Sequence, residues 1–159
     1  MKVIKGDLLK LAQSETFDVI VHGCNCYHTM GAGIAWQIAK QFPEALEADL
    51  VTEYGNSEKL GAISCAEIET DKGYVFHIVN GYTQMGCGHG LYTNYTAIAM
   101  VMETVAEFWP EARIGYPKIG AGLGGGDWNV IHPIIDKALY GLDHMLVEYE
   151  SYEFEANAS

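Results

Sequence analysis

Short apolar runs alternate along the chain with longer segments in which apolar residues recur at helical spacing. The short runs predict strands, several of them buried on both faces, at residues 2–5, 17–21, 62–68, 74–79, 113–116 and 145–149. The longer segments predict helices over residues 33–42, 44–54, 93–108 and 128–139. Strands that alternate with helices in this way predict an α/β fold, a three-layer α/β/α sandwich with a mixed, mostly parallel central sheet.

The length and the composition fit a single domain. The chain has 159 residues, 49% of them hydrophobic, which is enough to bury one core. We expect the domain to occupy residues 1–150 and a polar C-terminal tail to occupy residues 151–159. Four irregularly spaced cysteines, a polar start and the lack of a bilayer-length apolar run favour a reducing, cytoplasmic location.

The charge of the chain argues against one class of partner. The chain has nine basic and 21 acidic residues, so the formal net charge is −12. Such a chain repels a nucleic-acid backbone, and we expect no nucleic-acid partner and no membrane partner. An anionic ligand would have to be held mainly by backbone amides and helix ends, because a cationic cleft is not available.

Glycine is the residue that indicates where a ligand binds. Five of the seven residues 120–126 are glycine, between a predicted strand and a predicted helix. Glycine permits positive φ angles and close approach of the backbone, and a helix N-terminus adds unpaired N–H groups and a positive dipole end. We interpret this loop as a phosphate cradle. The alternative is a tight turn that is packed for structural reasons.

A second segment, residues 22–35, repeats this arrangement after the second predicted strand. It contains Asn25, whose amide can donate to and accept from a ribose diol, and glycines at positions 31 and 33. Because ligands of such sheets bind at the carboxyl ends of the strands, we expect both glycine segments to line one site.

Together with Lys5-Gly6-Asp7-Leu8 after the first strand, these two segments resemble the macro domain family over nearly the whole chain. The resemblance implies that the ligand is ADP-ribose or a derivative. It implies that Asp7 contacts the adenine amino group, that Asn25 and the loop at 31–34 hold the distal ribose, and that the loop at 120–126 holds the diphosphate. The implied ligand-binding residues are Asp7, Leu8, Asn25, Gly31, Ala32, Gly33, Ile34, Gly120, Ala121, Gly122, Leu123, Gly124, Gly125, Gly126 and Tyr149, the last of these near the adenine.

Within the family, His22-x-Cys24-Asn25-Cys26 and Gly88-His89-Gly90 resemble the yeast-type ADP-ribose 1″-phosphate phosphatases. A related branch removes ADP-ribose from proteins with a Lys after the fourth strand and an Asp in the diphosphate loop. Residues 80–95 contain no Lys, and Gly124 stands at the position of that Asp. This departure argues against a lysine-dependent glycohydrolase.

Hydrolysis of a phosphomonoester needs charge stabilisation, a nucleophile or positioned water, and a proton for the leaving oxygen. We expect His22 to attack or to donate a proton, His89 to bind or protonate the phosphate, and Asp127 to orient a water. Each has a structural alternative. His22 could support the ribose loop through hydrogen bonds, His89 could be a plain loop residue, and Asp127 could be the N-cap of the following helix.

Two other functions stay open at the level of sequence. The protein could be a non-catalytic module that binds ADP-ribose or a related nucleotide, or a hydrolase that deacetylates O-acetyl-ADP-ribose or removes ADP-ribose from acidic side chains with the help of Asn25. We expect a monomer without a cofactor or a metal. A zinc site of Cys24, Cys26, Cys87 and His89 is a minor alternative, because Cys-x-Cys spacing is unusual for structural zinc. We expect Trp36 and Phe42 to belong to the core.

Overall fold

A six-stranded sheet forms the centre of the computed structural model, which describes residues 1–86, 92–122 and 124–150. The strands lie in the order β1-β6-β5-β2-β4-β3. All neighbouring pairs are parallel except β3 and β4, which are antiparallel. This confirms the mixed, mostly parallel sheet. The strands are β1 (Lys2–Gly6), β2 (Val19–Cys24), β3 (Ile63–Glu69), β4 (Val75–Tyr82), β5 (Arg113–Tyr116) and β6 (Asp143–Tyr149).

Within the residues that the structure describes, five α-helices lie between the strands, and four of them follow the predicted pattern. A short 3₁₀ helix, Ser57–Lys59, precedes β3. The helix α1, which was not predicted, has only six residues, too few to show a 3.6-residue period. The prediction of a helix as far as residue 54 was wrong by four residues, because α3 ends at Leu50. The helices are α1 (Leu8–Gln13), α2 (Gly33–Gln41), α3 (Pro43–Leu50), α4 (Tyr95–Phe108) and α5 (Trp128–Ala138). In the described residues, no helix has both the length and the apolar character needed to span a membrane.

Two hydrophobic layers cover the sheet, one on each face. Successive residues of β2 alternate between them, since side chains alternate across a strand: Val19 and Val21 face α4 and α5, whereas Ile20 faces α1, α2 and α3. Both layers are built from fully buried aliphatic and aromatic side chains, which confirms the three-layer sandwich. Residues 151–159, the expected tail, lie outside the described residues.

The structure extends β2 further than the pattern predicts, and this changes where His22 points. The strand continues through His22 and Gly23 to Cys24, whereas the predicted strand ended at Val21. His22 therefore sits inside the sheet, in register with Asn80 of β4, instead of in the loop that follows. Its side chain lies on the same face as that of Ile20.

At the amino-terminal ends of the central strands, opposite to the carboxyl ends, an ion pair connects Arg113 of β5 with Asp18, the residue before β2. Arg113 at the start of β5 donates from Nε and Nη2 to the carboxylate of Asp18, at 3.0 and 2.9 Å. The Tyr74 hydroxyl also donates to Asp18 Oδ1, at 3.0 Å. The hydrogen bond from the Arg113 guanidinium is the main reason why the pKa of Asp18 is lowered to about 2.

Candidate functional site

A cleft runs along the carboxyl ends of the parallel strands and consists of two adjoining cavities. We name them the side-chain cavity and the glycine cavity. Their volumes are about 710 and 620 Å³. They share a wall made by Gly33, Ile34, Pro117 and Lys118. Both glycine segments border this one cleft, as the topology of the sheet predicts.

The side-chain cavity is lined mainly by side chains from the ends of β1 and β6 and from α2. Asp7, Leu8 and Tyr149 all line it, as expected. Asp7 is also the N-cap of α1, where its Oδ1 accepts hydrogen bonds from the amides of Leu9 and Lys10 at 3.0 and 3.2 Å. The cap holds the carboxylate at the rim of an apolar cavity. The lining residues are Gly6, Asp7, Leu8, Leu9, Gly33, Ile34, Trp36, Gln37, Pro117, Lys118, Val147, Glu148 and Tyr149.

Trp36 is a site residue that the sequence pattern misassigned. We expected it in the core, but 46% of its surface is exposed and its ring lines the side-chain cavity. Lys40, one turn further along α2, lies with Nζ 4.9 Å from the centre of the indole ring. A helical position next to the buried face has the same apolar character whether it faces the core or a ligand cavity, so the pattern does not separate the two.

Six of the described residues that line the glycine cavity are glycines. Of the residues predicted to hold ribose and diphosphate, eight line it. Ala121, Gly125 and Gly126 do not line it, and Leu123 lies outside the described residues. The lining residues are Gly23, Cys24, Asn25, Thr29, Gly31, Ala32, Gly33, Ile34, Ala35, Gln84, Pro117, Lys118, Ile119, Gly120, Gly122 and Gly124.

The glycines of the loop at 120–126 serve two different purposes. A Cβ at Gly126 would lie 2.7 Å from the carbonyl oxygen of Gly120, so this glycine is needed for packing within the loop. A Cβ at Gly122 would meet no atom within 4 Å and would project into open space. Gly122 lines the cavity and Gly126 does not. The packed-turn alternative therefore explains Gly126, whereas packing within the loop does not require a glycine at position 122.

The helix end beside the glycine cavity belongs to α2 and not to α5. Residues 32–35 line the cavity, and Ala32 at the N-cap offers no side-chain hydrogen bond to the first turn. The first turn of α5 is instead capped by Asp127, whose Oδ1 accepts from the Asn129 amide at 2.9 Å. The N-terminus of α5, which we expected beside the glycine loop's ligand, therefore does not line this cavity, whereas the positive end of the α2 dipole does.

Asn25 lines the glycine cavity, but its amide also shapes the loop that carries it. Its Nδ2 donates to the carbonyl and hydroxyl oxygens of Thr29, at 3.0 and 2.6 Å. Its Oδ1 accepts from the Tyr27 amide at 2.8 Å. The side chain is only 7% exposed. These bonds hold the turn between β2 and α2 in place.

His22 lies beneath the cleft instead of in it. The side chain is 1% exposed and is not among the lining residues of either cavity. Its Nε2 lies 2.6 Å from Asn80 Oδ1. Because Asn80 uses its Nδ2 to donate to Ala45 and Ser64, its Oδ1 accepts and the His22 Nε2 carries the proton. Burial lowers the pKa of His22 to about 4. This environment fits the alternative of a structural histidine and does not support the prediction of a nucleophile or proton donor.

A buried polar layer continues from His22 under the ribose loop. Ser64 Oγ lies 2.8 Å from the Tyr82 hydroxyl, which donates to Asp49 Oδ1 at 2.7 Å. Above His22, Cys24 Sγ lies 3.8 Å from the unprotonated Nδ1 and at the floor of the glycine cavity. Burial raises the pKa of the Cys24 thiol well above its usual value, so the sulfur is a neutral thiol and a poor nucleophile.

The other two predicted catalytic residues are Asp127 and His89. Asp127 is exposed, acts as the N-cap of α5, and does not line the glycine cavity, so the capping alternative is the one that the geometry supports. His89 lies outside the described residues, together with Cys87. Within the described part of the chain, no three His, Cys, Asp or Glu side chains gather in a way that could hold a metal.

Comparisons with known proteins agree with this architecture. A family model for the macro domain matches residues 21–135. An uncharacterized 17.5 kDa protein from the tk-vs intergenic region of Enterobacteria phage T4 is 40% identical over 158 residues, covering 94% of this chain and 97% of that protein. An ADP-ribose 1″-phosphate phosphatase from Saccharomyces cerevisiae is 29% identical over 171 residues, covering 98% of this chain and 93% of that protein.

Solved structures share the fold at lower identity. The macrodomain of Thermus aquaticus DarG superimposes with a TM-score of 0.72 at 22% identity, covering 94% of this chain and 97% of that chain. Thermosipho africanus DarTG in complex with ADP-ribose superimposes with a TM-score of 0.71 at 15% identity, covering 96% of this chain and 42% of that chain.

Proposed function

Because the chain belongs to the macro domain family, we propose that its cleft binds ADP-ribose and that the protein hydrolyses ADP-ribose 1″-phosphate to ADP-ribose and phosphate. The observation that carries the binding part is the pair of adjoining cavities. ADP-ribose is an adenosine and a second ribose joined by a diphosphate. The base needs aromatic surface, which the side-chain cavity supplies, and the phosphates and distal ribose need room close to the backbone, which the two glycine segments of the other cavity supply.

The polar groups of the two cavities support this orientation of the ligand. Asp7 offers a hydrogen-bond acceptor to an adenine amino group in the side-chain cavity, where Trp36 and Tyr149 offer aromatic surface. In the glycine cavity, the uncapped first turn of α2 and the loop at 120–126 offer backbone N–H groups to phosphates.

The phosphatase part of the proposal rests on the relative from Saccharomyces cerevisiae and on the motifs around His22 and His89. We assign the proton transfer to His89 and give His22 a supporting role, because His22 is buried and neutral. Residues on either side of the segment that contains His89 lie beside the glycine cavity. Gln84 lines it, and the amide of Tyr92 donates to the Gly124 carbonyl at 3.0 Å.

The test is release of phosphate from ADP-ribose 1″-phosphate, with calorimetric binding of ADP-ribose measured on the same preparations. We expect turnover by the natural protein, loss of turnover with retained binding in His89→Ala, and full turnover in the control His132→Ala on the exposed face of α5. If His89→Ala keeps full turnover, the assignment to His89 is wrong.

A non-catalytic binding module is the second candidate, and one observation favours it. Among the described residues that line the glycine cavity, the titratable side chains are Cys24 and Lys118, and the Cys24 thiol has a raised pKa. Binding of ADP-ribose without any phosphate release above the buffer rate would establish this function. Failure to bind ADP-ribose at all would overturn both candidates.

A further inference from the structure

Lys118 occupies a distinctive position in the cleft. It is the second residue after β5, behind Pro117, and forms part of the wall that the two cavities share. Its carbonyl oxygen accepts from the Ala121 amide at 3.3 Å, so its backbone belongs to the turn that begins the glycine loop. A ligand with one end in each cavity must pass this residue.

Lys118 is also the one cationic side chain among the described residues that line either cavity. Residues 87–91, 123 and 151–159, which the structure does not describe, contain no Lys or Arg in the sequence. The net charge of −12 means that the protein as a whole repels an anion. The positive charge of Lys118, at the wall between the cavities, therefore contributes much of the local attraction for an anionic ligand.

In the structure, this cation is paired with a carboxylate of the same cleft. Lys118 Nζ lies 3.7 Å from Glu148 Oε1, and the two side chains are 50% and 39% exposed. Glu148 lines the side-chain cavity near the end of β6. An exposed pair of this kind contributes little stability, so Lys118 can leave Glu148 for a better partner at small cost.

We propose that Lys118 binds the diphosphate that joins the two ends of the ligand, and that Glu148 competes with the ligand for Lys118. The proposal rests on the proposed binding of ADP-ribose. A diphosphate carries more charge than a carboxylate and presents several oxygens to the ammonium, so it displaces Glu148 when it binds. Glu148 then lowers the affinity by holding Lys118 in the free protein.

A double-mutant cycle tests this proposal. Calorimetry would measure the dissociation constant of ADP-ribose for the natural protein, Lys118→Gln, Glu148→Gln and the variant with both changes. We expect Lys118→Gln to weaken binding about tenfold, the loss of one charge-assisted hydrogen bond. We expect Glu148→Gln alone to tighten binding about threefold, and to change it by less than about twofold when Lys118 is already Gln.

Controls separate this effect from changes of fold or of overall charge. Lys72→Gln removes the same charge from the exposed turn between β3 and β4, at the opposite edge of the sheet, and should leave the affinity unchanged. The melting temperatures of the Lys118 and Glu148 variants should stay close to that of the natural protein. In about 0.5 M sodium chloride, the difference between the natural protein and Lys118→Gln should shrink.

The outcomes distinguish the possible failures. If the natural protein binds ADP-ribose and Lys118→Gln binds it equally well, Lys118 does not contact the diphosphate. If Glu148→Gln still tightens binding threefold without Lys118, then Glu148 repels the ligand directly and does not compete for Lys118. If the natural protein does not bind ADP-ribose, the proposed function is overturned together with this inference.

Discussion

The two cavities of the cleft lie side by side but are built from different parts of the chain. The side-chain cavity takes its surface from an indole, a phenol ring and aliphatic groups, and its polarity from Asp7 and Glu148. In the glycine cavity, six of the described lining residues are glycines, and buried polar groups around His22 lie beneath it. An apolar base is recognised by side-chain area, whereas phosphates are recognised by backbone N–H groups. Truncating a side chain of the side-chain cavity should therefore weaken ligand binding, and adding a side chain to a glycine of the glycine cavity should also weaken it.

The largest effect that we expect concerns the polar layer beneath the glycine cavity. Burial lowers the pKa of His22 to about 4, whereas the pKa of a histidine in the unfolded chain is about 6.5. Between these two pH values the unfolded chain is protonated at His22 and the folded chain is not. Stability is fully present above about pH 6.5 and falls as the pH drops toward 4, by roughly 3 kcal/mol. Denaturant unfolding at several pH values would measure this, with His22→Gln as the comparison. An equally large fall in His22→Gln would show that His22 is not the cause.

The next effect separates the two kinds of glycine in the loop at 120–126. Gly126→Ala places a Cβ 2.7 Å from the carbonyl oxygen of Gly120 and should cost about 2 kcal/mol of stability. Gly122→Ala meets open space, so its melting temperature should be unchanged while its affinity for ADP-ribose falls. Thermal melting and calorimetry on both variants measure these effects. Unchanged affinity in Gly122→Ala would mean that no ligand approaches the backbone there.

The side-chain cavity should respond to the removal of atoms. Trp36→Ala should weaken ADP-ribose binding by about 1.5 kcal/mol, roughly tenfold, because a base loses its aromatic contact. Trp36→Phe should recover part of this loss. Phe108→Ala removes an aromatic ring that is 65% exposed and lies outside both cavities, and it serves as the control. Binding equal to that of the natural protein in Trp36→Ala would place the base elsewhere.

The smallest effect lies at the amino-terminal ends of the central strands, where neither cavity is involved. The pKa of Asp18 is lowered to about 2, mainly by its hydrogen bond from Arg113, so this carboxylate contributes stability above about pH 4 that is lost as the pH falls toward 2. The pair is partly exposed, so we expect no more than about 1 kcal/mol. Asp18→Asn should lower the melting temperature slightly at neutral pH and leave ADP-ribose affinity unchanged. A change in affinity would show that the ion pair at the amino-terminal ends of the strands is coupled to the cleft at their carboxyl ends.

Sequence reasoning found the parts of the site that depend on local pattern. The loops at 31–34 and 120–126 were found because clustered glycine between a strand and a helix is rare without a backbone requirement. Asp7 was found through its motif, although its part in capping α1 was not. Trp36 and Glu148 were not predicted as cleft residues, because nothing local distinguishes them from ordinary helix and strand positions.

The sequence by itself determined the order of the strands and of the four longer helices, the layering of the fold and the two glycine loops, because periodicity and backbone requirements are properties of neighbouring residues. The tertiary structure decided which groups face the ligand. His22 lies within the sheet and contacts Asn80, because β2 continues for three residues beyond its apolar run. The tertiary structure brought Lys118 from the end of β5 to Glu148 from β6, because those strands pair in parallel. Contacts across the sheet depend on strand order and register, which no local pattern contains.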